Sequence, residues 1–244
     1  SGGDGLAWIE VNSGTGDVQI YDNNVVTDGV PAGYYSYALV DCGSRDVAIT
    51  MNLTPPDSGG TWVLGPALRY ESQSDDWEIW IDDRNDADQF HYISQVKNGG
   101  YITRGVESIL GSWNRKGAGS NKFQAIVHGR TINSLVAGST LTFSGDDLNE
   151  SGGSTQTIHG MALYAGGAVA ANRQRTHDFA MWHTTKWVPP PETSALQSVT
   201  PLASDSFDRA DSTSLGNTDG NWPSTDSGGD GLAWIEVNSG TGDV

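Results

Sequence analysis

The sequence has little cysteine and no long apolar run, and both shortages exclude classes of protein. Cys42 is the only cysteine among 244 residues, so no disulfide can form within the chain. A bacterial, archaeal or viral origin therefore fits better than a small eukaryotic secreted module, which is usually rich in disulfides. No apolar run reaches the roughly 18 residues of a membrane-spanning helix, so we expect no membrane insertion.

Basic residues are also scarce. Lysine and arginine number 13 against 30 aspartate and glutamate residues, which gives a formal net charge of −17. A chain of this charge repels nucleic-acid phosphates, anionic membrane surfaces and polyanionic glycans. We therefore expect no nucleic-acid partner. The acidity favours solubility and is typical of a protein outside the cell, on the cell surface or on a virion fibre.

Short alternating segments separated by glycine and small polar residues predict an all-β fold. The segment DVAITMNLT places Val47, Ile49, Met51 and Leu53 on one face, as in a half-buried strand. The segment FHYISQVKNGGYITRG predicts two strands joined at Asn98-Gly99, a pair that tolerates the positive φ of a tight hairpin turn.

A change of composition divides the chain. Residues Val188–Ser204, VPPPETSALQSVTPLAS, contain three consecutive prolines followed by small polar residues, which predicts a stiff, extended linker. We predict a body at 1–187, this linker at 188–204, and further strands at 205–244. These last strands open either the next module or the same module in a circularly permuted frame.

The chain also repeats itself. Ser1–Val18, SGGDGLAWIEVNSGTGDV, recurs letter for letter as Ser227–Val244. Such self-similarity is typical of a tandem array of modules. The alternative is a chain in which a terminal segment was deliberately duplicated.

Motifs around the linker resemble a known class of module. The run Asp205–Asp211, DSFDRAD, is followed by Leu215-Gly216 and Trp222, and Ile20–Asn24 and Asp178-Phe179 lie elsewhere in the chain. This pattern resembles bacterial and phage modules of the concanavalin A-like, laminin-G-like jelly-roll class. The resemblance implies an antiparallel jelly-roll β-sandwich, which agrees with the alternation of apolar residues.

One strand resembles a hydrolase motif. Glu78–Asp83, EIWIDD, is similar to the E-I-D-x-x-E strand of laminarinase- and lichenase-type enzymes. In this resemblance Glu78 matches the nucleophile, but Trp80 replaces the central Asp and Asp83 the final Glu. Because retaining hydrolysis needs two carboxyls about 5 Å apart, we expect no enzyme activity. The alternative is an ordinary sheet strand with Trp77, Ile79 and Ile81 inward and Glu78, Trp80 and Asp82 outward.

An acidic run follows this strand. Asp82, Asp83, Asn85, Asp86 and Asp88 offer the hard oxygen ligands that Ca²⁺ takes, without the spacing of an EF-hand. We consider a Ca²⁺ site here beside the alternative of a solvated acidic turn, and we predict no other cofactor.

Aromatic residues could bind a sugar. The chain has nine tryptophans and eight tyrosines, and Trp80 with Tyr34, Tyr35 and Tyr37 forms the candidate glycan site. The alternative is that most of these aromatic residues fill the core, because each buries a large area.

Our leading functional hypothesis is a structural repeat module of an extracellular fibre, filament or large surface adhesin. Identical modules would associate head to tail, with strand complementation as the sharper version. The candidate assembly residues are Asp205, Phe207, Arg209, Leu215 and Trp222. The alternative is a carbohydrate-binding, lectin-like module of a secreted or viral protein.

Overall fold

A computed structural model describes most of the body and parts of the segment that follows it. The described residues are 6–12, 17–28, 35–56, 62–82, 89–109, 113–114, 119–149, 155–164, 174–184, 203–205, 207 and 215. Within them the chain forms strands and one short 3-10 helix, Asp146–Asn149. None of these residues belongs to a helix long and apolar enough to cross a membrane. The strands are β1 Ile9–Asn12, β2 Asp17–Tyr21, β3 Asn24–Asp28, β4 Tyr35–Asp41, β5 Val47–Thr54, β6 Trp62–Ser72, β7 Asp75–Asp82, β8 Phe90–Lys97, β9 Gly100–Ser108, β10 Asn121–His128, β11 Thr131–Val136, β12 Ser139–Ser144, β13 Ile158–Tyr164, β14 Arg175–His183 and β15 Ala203–Asp205.

The strands form two antiparallel sheets. The first sheet has the order β1-β4-β13-β6-β7-β8-β9, and the second has the order β12-β11-β10-β5-β14-β3-β2, with β15 also paired to β14. One apolar core contains residues from both sheets and therefore lies between them. A second apolar cluster contains residues of the first sheet only, and it defines what we call the outer face of that sheet. This architecture confirms the predicted all-β sandwich.

Local predictions are also confirmed. On β5 the four alternating residues from Val47 to Leu53 point into the core between the sheets, because successive side chains of a strand face opposite ways. The β8–β9 hairpin turns at Asn98 and Gly99, whose φ angles are 52° and 74°. Both residues lie in the left-handed region that an Asn-Gly turn adopts readily.

The guanidinium of Arg69 connects several structural elements at one end of the sandwich. The Arg69 side chain is fully buried and donates to the Asp46 carboxylate at 2.9 Å. It also donates to the carbonyl oxygens of Arg45, Leu148 and Gly129, at 3.2, 2.8 and 2.7 Å. Arg69 therefore joins β6 to the start of β5, the β10–β11 turn and the 3-10 helix. A buried cation persists only where such partners replace water.

The segment after the predicted linker packs against the body of its own chain. Strand β15 pairs with β14, with Asp205 opposite Phe179. The same edge of β14 also pairs with β3, where Thr176 lies opposite Val25. The sequence leaves open whether this segment belongs to the same module or to the next one. Here the edge belongs to its own chain.

Three of the five candidate assembly residues are described, and all three are buried: Asp205, Phe207 and Leu215. Arg209 and Trp222 lie outside the described residues, as does the second copy of the repeat. The division into body, linker and opening strands stays a prediction, although β15 begins at Ala203, inside the stretch predicted as linker.

Candidate functional site

Strand β7 places acidic and aromatic side chains on the outer face. Its residues Trp77, Ile79 and Ile81 point into the core between the sheets, as the sheet-strand alternative predicted. Asp76, Glu78, Trp80 and Asp82 therefore point the other way. All four are buried, with exposed fractions of 3%, 0%, 5% and 9%. If this side of β7 faced water, these four side chains would be exposed. Instead, neighbouring residues on the outer face bury them.

Three aromatic rings form a stack across β6, β7 and β8. The Trp62 and Trp80 ring centroids lie 4.6 Å apart, and those of Trp80 and Tyr92 lie 3.9 Å apart. Because β6 and β8 flank β7, the two neighbours cover opposite faces of the Trp80 ring. The indole nitrogen of Trp80 donates to the hydroxyl of Ser94 at 2.8 Å. Trp80 is thus locked in place, while Trp62 and Tyr92 are only half-buried.

Tyr101 extends this stack to the edge of the sheet. It lies on β9, the last strand of the first sheet, and its ring contacts Trp80 edge to face at 6.3 Å. The side chain is 39% exposed. We call Trp62, Trp80, Tyr92 and Tyr101 the aromatic ladder. Its surface toward solvent comes from Trp62, Tyr92 and Tyr101 and not from Trp80.

Tyr37 on β4 contacts an acidic residue of β7 across the outer face of the sheet. Its hydroxyl donates to Glu78 Oε1 at 2.8 Å across the two intervening strands, β13 and β6. These strands carry small residues there, with Gly160 opposite Ala67 and Ala67 opposite Glu78. On β13 the residue opposite Tyr37 is Ala162. These small side chains leave room for the Tyr37 phenol to reach Glu78 across both strands.

Asp76 and Glu78 are buried without enough donors. No donor among the described residues makes a well-formed hydrogen bond to either carboxyl oxygen of Asp76 or to Oε2 of Glu78, although the Tyr37 and Tyr101 phenols lie close to them. Burial raises the pKa of Asp76 well above its ordinary value, and the neighbouring Glu78 charge raises it further, while the Tyr37 hydroxyl opposes the rise. Burial also raises the pKa of Glu78, against the hydroxyls of Tyr37 and Tyr101. The outer face thus favours neutral carboxyls.

The predicted glycan residues are partly brought together. Trp80 and Tyr37 share the outer face, whereas Tyr34 and the side chain of Tyr35 lie outside the described residues. Trp62, Tyr92 and Tyr101 of the ladder were not among the glycan-binding residues predicted from the sequence. Their common face depends on which strands pair and in which register, and alternation within a single strand does not reveal that.

Most of the residues predicted to bind Ca²⁺ lie outside the described residues. Asp82 lies on β7 opposite Trp62 and Phe90. Asp83, Asn85, Asp86 and Asp88 are not among the described residues. Among those that are described, no group of three or more His, Cys, Asp and Glu residues could hold a metal. The Ca²⁺ hypothesis stays a prediction.

Comparison with known proteins gives matches in structure alone. No family model and no curated protein matches the sequence. A legume lectin-like domain from Entamoeba histolytica is 10% identical over 73% of this chain and 90% of that domain, with a TM-score of 0.51. The carbohydrate-binding module CBM66 from Bacillus subtilis is 10% identical over 73% of this chain and 94% of its own, with a TM-score of 0.49.

A phage protein is also similar. Tailspike protein 2 from the Escherichia coli O157:H7 bacteriophage CAB120 is 9% identical over 73% of this chain, with a TM-score of 0.47, and the match spans 26% of the tailspike. Identities this low concern the fold and not the site. The two antiparallel sheets and the likeness to the legume lectin-like domain identify the chain as a concanavalin A-like jelly-roll β-sandwich.

Proposed function

We propose that this chain is a carbohydrate-binding module and that the glycan stacks on the aromatic ladder. The observation that carries the proposal is the exposed side of this ladder, formed by Trp62, Tyr92 and Tyr101 around a locked Trp80. Rigid aromatic rings with a polar rim give large contact area at little cost in side-chain entropy. The legume lectin-like name of a similar fold agrees with this proposal, but the argument rests on these side chains.

The charge of the chain favours a neutral glycan. With 13 basic and 30 acidic residues, the protein would repel a polyanionic sugar chain. Asp76 and Glu78 are too buried to touch the sugar. Their role in this proposal is to hold Tyr37 and Tyr101 from beneath, through the hydrogen bond to Glu78 and the close approach of both phenols.

In this proposal the module binds the glycan without hydrolysing it. Retaining hydrolysis needs two carboxyls flanking the sugar bond. Glu78, the candidate nucleophile, has no exposed surface and already accepts a hydrogen bond from Tyr37. Asp83, its partner in the hydrolase resemblance, is outside the described residues. We also propose a location outside the cell, on the cell surface or on a virion.

Glycan-array binding followed by calorimetry tests the proposal with a matched control. Tyr101→Ala is expected to weaken binding of the best neutral glycan about tenfold or more, because an exposed aromatic ring of the ladder is lost. Tyr21→Ala removes a tyrosine of similar exposure, 44%, from the second sheet and should leave affinity unchanged. Absence of reproducible binding, or equal losses in both variants, would contradict the proposal.

A second candidate function is favoured by the repeated sequence. The identity of Ser1–Val18 and Ser227–Val244 supports a repeat module in an extracellular fibre or adhesin, associating head to tail. Electron microscopy of the intact native protein tests it. Filaments with a regular period are expected, and well-separated monomeric particles would count against the fibre role while leaving glycan binding open.

A further inference from the structure

The first copy of the repeat is held by the segment that precedes the second copy. The indole nitrogen of Trp8 donates to Asp205 Oδ2 at 3.0 Å, in a buried contact between residues 197 apart in sequence. The Trp8 ring lies 5.8 Å from that of Phe207 and 5.1 Å from that of Phe179. Glu10 Oε1 accepts a hydrogen bond from the Leu215 amide at 2.9 Å. We call Asp205, Phe207 and Leu215 the clasp.

The clasp contacts the repeated residues through their side chains. Asp205 uses its other oxygen, Oδ1, to accept a hydrogen bond from the Phe207 amide at 2.8 Å, which fixes the carboxylate toward Trp8. Trp8, Phe207 and Leu215 are almost completely buried, with at most 1% exposed. A fixed acceptor, an aromatic wall and a backbone donor thus recognise one tryptophan and one glutamate.

Both recognised residues occur twice in the chain. Trp234 and Glu236 occupy the positions of Trp8 and Glu10 in the second copy, within an identical local sequence. One Asp205 carboxylate oxygen and one Leu215 amide can serve only one copy at a time. The clasp of one chain can therefore hold only one of the two copies.

The first copy also fills a sheet edge. We call the clasp together with the edge of β4 that β1 covers the seat. Strand β1 is the edge strand of the first sheet and pairs with β4, from Ile9 opposite Leu39 to Asn12 opposite Ser36. The repeat contains all of β1 and the first two residues of β2. Exchanging a short edge strand breaks no pairing deeper in the sheet, and an identical sequence restores every contact.

We infer that this seat is an interaction surface for the second copy of the repeat from another molecule of the same chain, which replaces β1 and inserts its Trp234 into the clasp. The inference rests on the second proposed function and supplies its contact. The contact is heterologous, because the donor lies at the C-terminal side and the seat contains the N-terminal copy. Such contacts extend head to tail.

Paired substitutions in the full chain test the inference, because each copy offers the same tryptophan. Trp234→Ala should abolish concentration-dependent self-association in sedimentation velocity while leaving the thermal midpoint unchanged. Trp8→Ala weakens the resident strand and should increase self-association at equal concentration. The double variant should be monomeric. Equal behaviour of the two single variants, or a chain that stays monomeric both unmodified and as Trp8→Ala, would overturn the inference.

A peptide measurement keeps the test decisive if Trp8→Ala fails to fold. A labelled peptide of the sequence SGGDGLAWIEVNSGTGDV should bind the unmodified folded chain, and its Trp→Ala counterpart should bind about tenfold or more weakly. Equal affinities, or no binding of either peptide, would refute exchange at the clasp. Filaments that persist in Trp234→Ala would keep the fibre role and reject this contact.

Discussion

Replacing Arg69 by methionine is expected to lower the free energy of unfolding by about 3 to 5 kcal/mol, as when one partner of a buried ion pair is removed. The substitution takes the donor from Asp46 and from three carbonyl oxygens, on Arg45, Leu148 and Gly129. A buried acceptor without a donor is destabilising because unfolding returns it to water. Urea titration at pH 7 measures the loss.

Arg45→Met is the matched control. Arg45 lies 3.7 Å from the same Asp46 carboxylate, but its side chain is 39% exposed. Ion pairs at exposed positions contribute about 1 kcal/mol or less, so this variant should stay close to the unmodified chain. Losses of similar size in both variants would mean that the buried network of Arg69 is not what joins the sheets at this end.

The alternation of apolar residues is enough to predict the strands but not what covers them. On β5 the predicted apolar face points into the core, but the opposite face is not the wet one expected, because Ala48 and Thr50 are also buried. On β7 the same rule correctly separates Ile79 from Glu78 but predicts a wet outer face. Neighbours from other strands bury that face, and their register is a long-range property.

The parts of the site that the sequence did not predict share one physical cause. The aromatic ladder needs Trp62 and Tyr92 on strands that flank β7, and the clasp needs Asp205 beside Trp8. Each pairing depends on tertiary packing between residues distant in the chain. Arg69 is another example, because a lone arginine in an apolar segment carries no sign of the four groups it will join.

The stability of the unmodified chain should fall, relative to Asp76→Asn, as the pH rises above about 4. The pKa of Asp76 is raised on folding, chiefly by burial, so the native state binds more protons than the unfolded state in this range. Stability then decreases with pH by at most about 1.4 kcal/mol per unit for one carboxyl. Asparagine does not titrate, and the variant loses this dependence.

Two buried histidines make the free energy of unfolding change with pH in the opposite direction. Their contribution cancels when the unmodified chain and Asp76→Asn are compared at the same pH. Burial lowers the pKa of His91 to about 4 and that of His159 to about 3, so below about 6.5 the unfolded state binds more protons. Their contribution to stability is lost as the pH falls from about 6.5 toward these values. Both histidines remain in the variant, so the difference in free energy of unfolding isolates the carboxyl.

The effects of substituting Asp76 and Glu78 on the free energy of unfolding should also be non-additive. Because the Glu78 charge contributes to the raised pKa of Asp76, Glu78→Gln should reduce the pH-dependent gain produced by Asp76→Asn. Urea titrations of both single variants and the double variant between pH 5 and 8 measure this coupling. The exposed Glu107→Gln on β9 serves as the control. Parallel curves for Asp76→Asn and the unmodified chain would show that the outer face does not hold its carboxyls neutral.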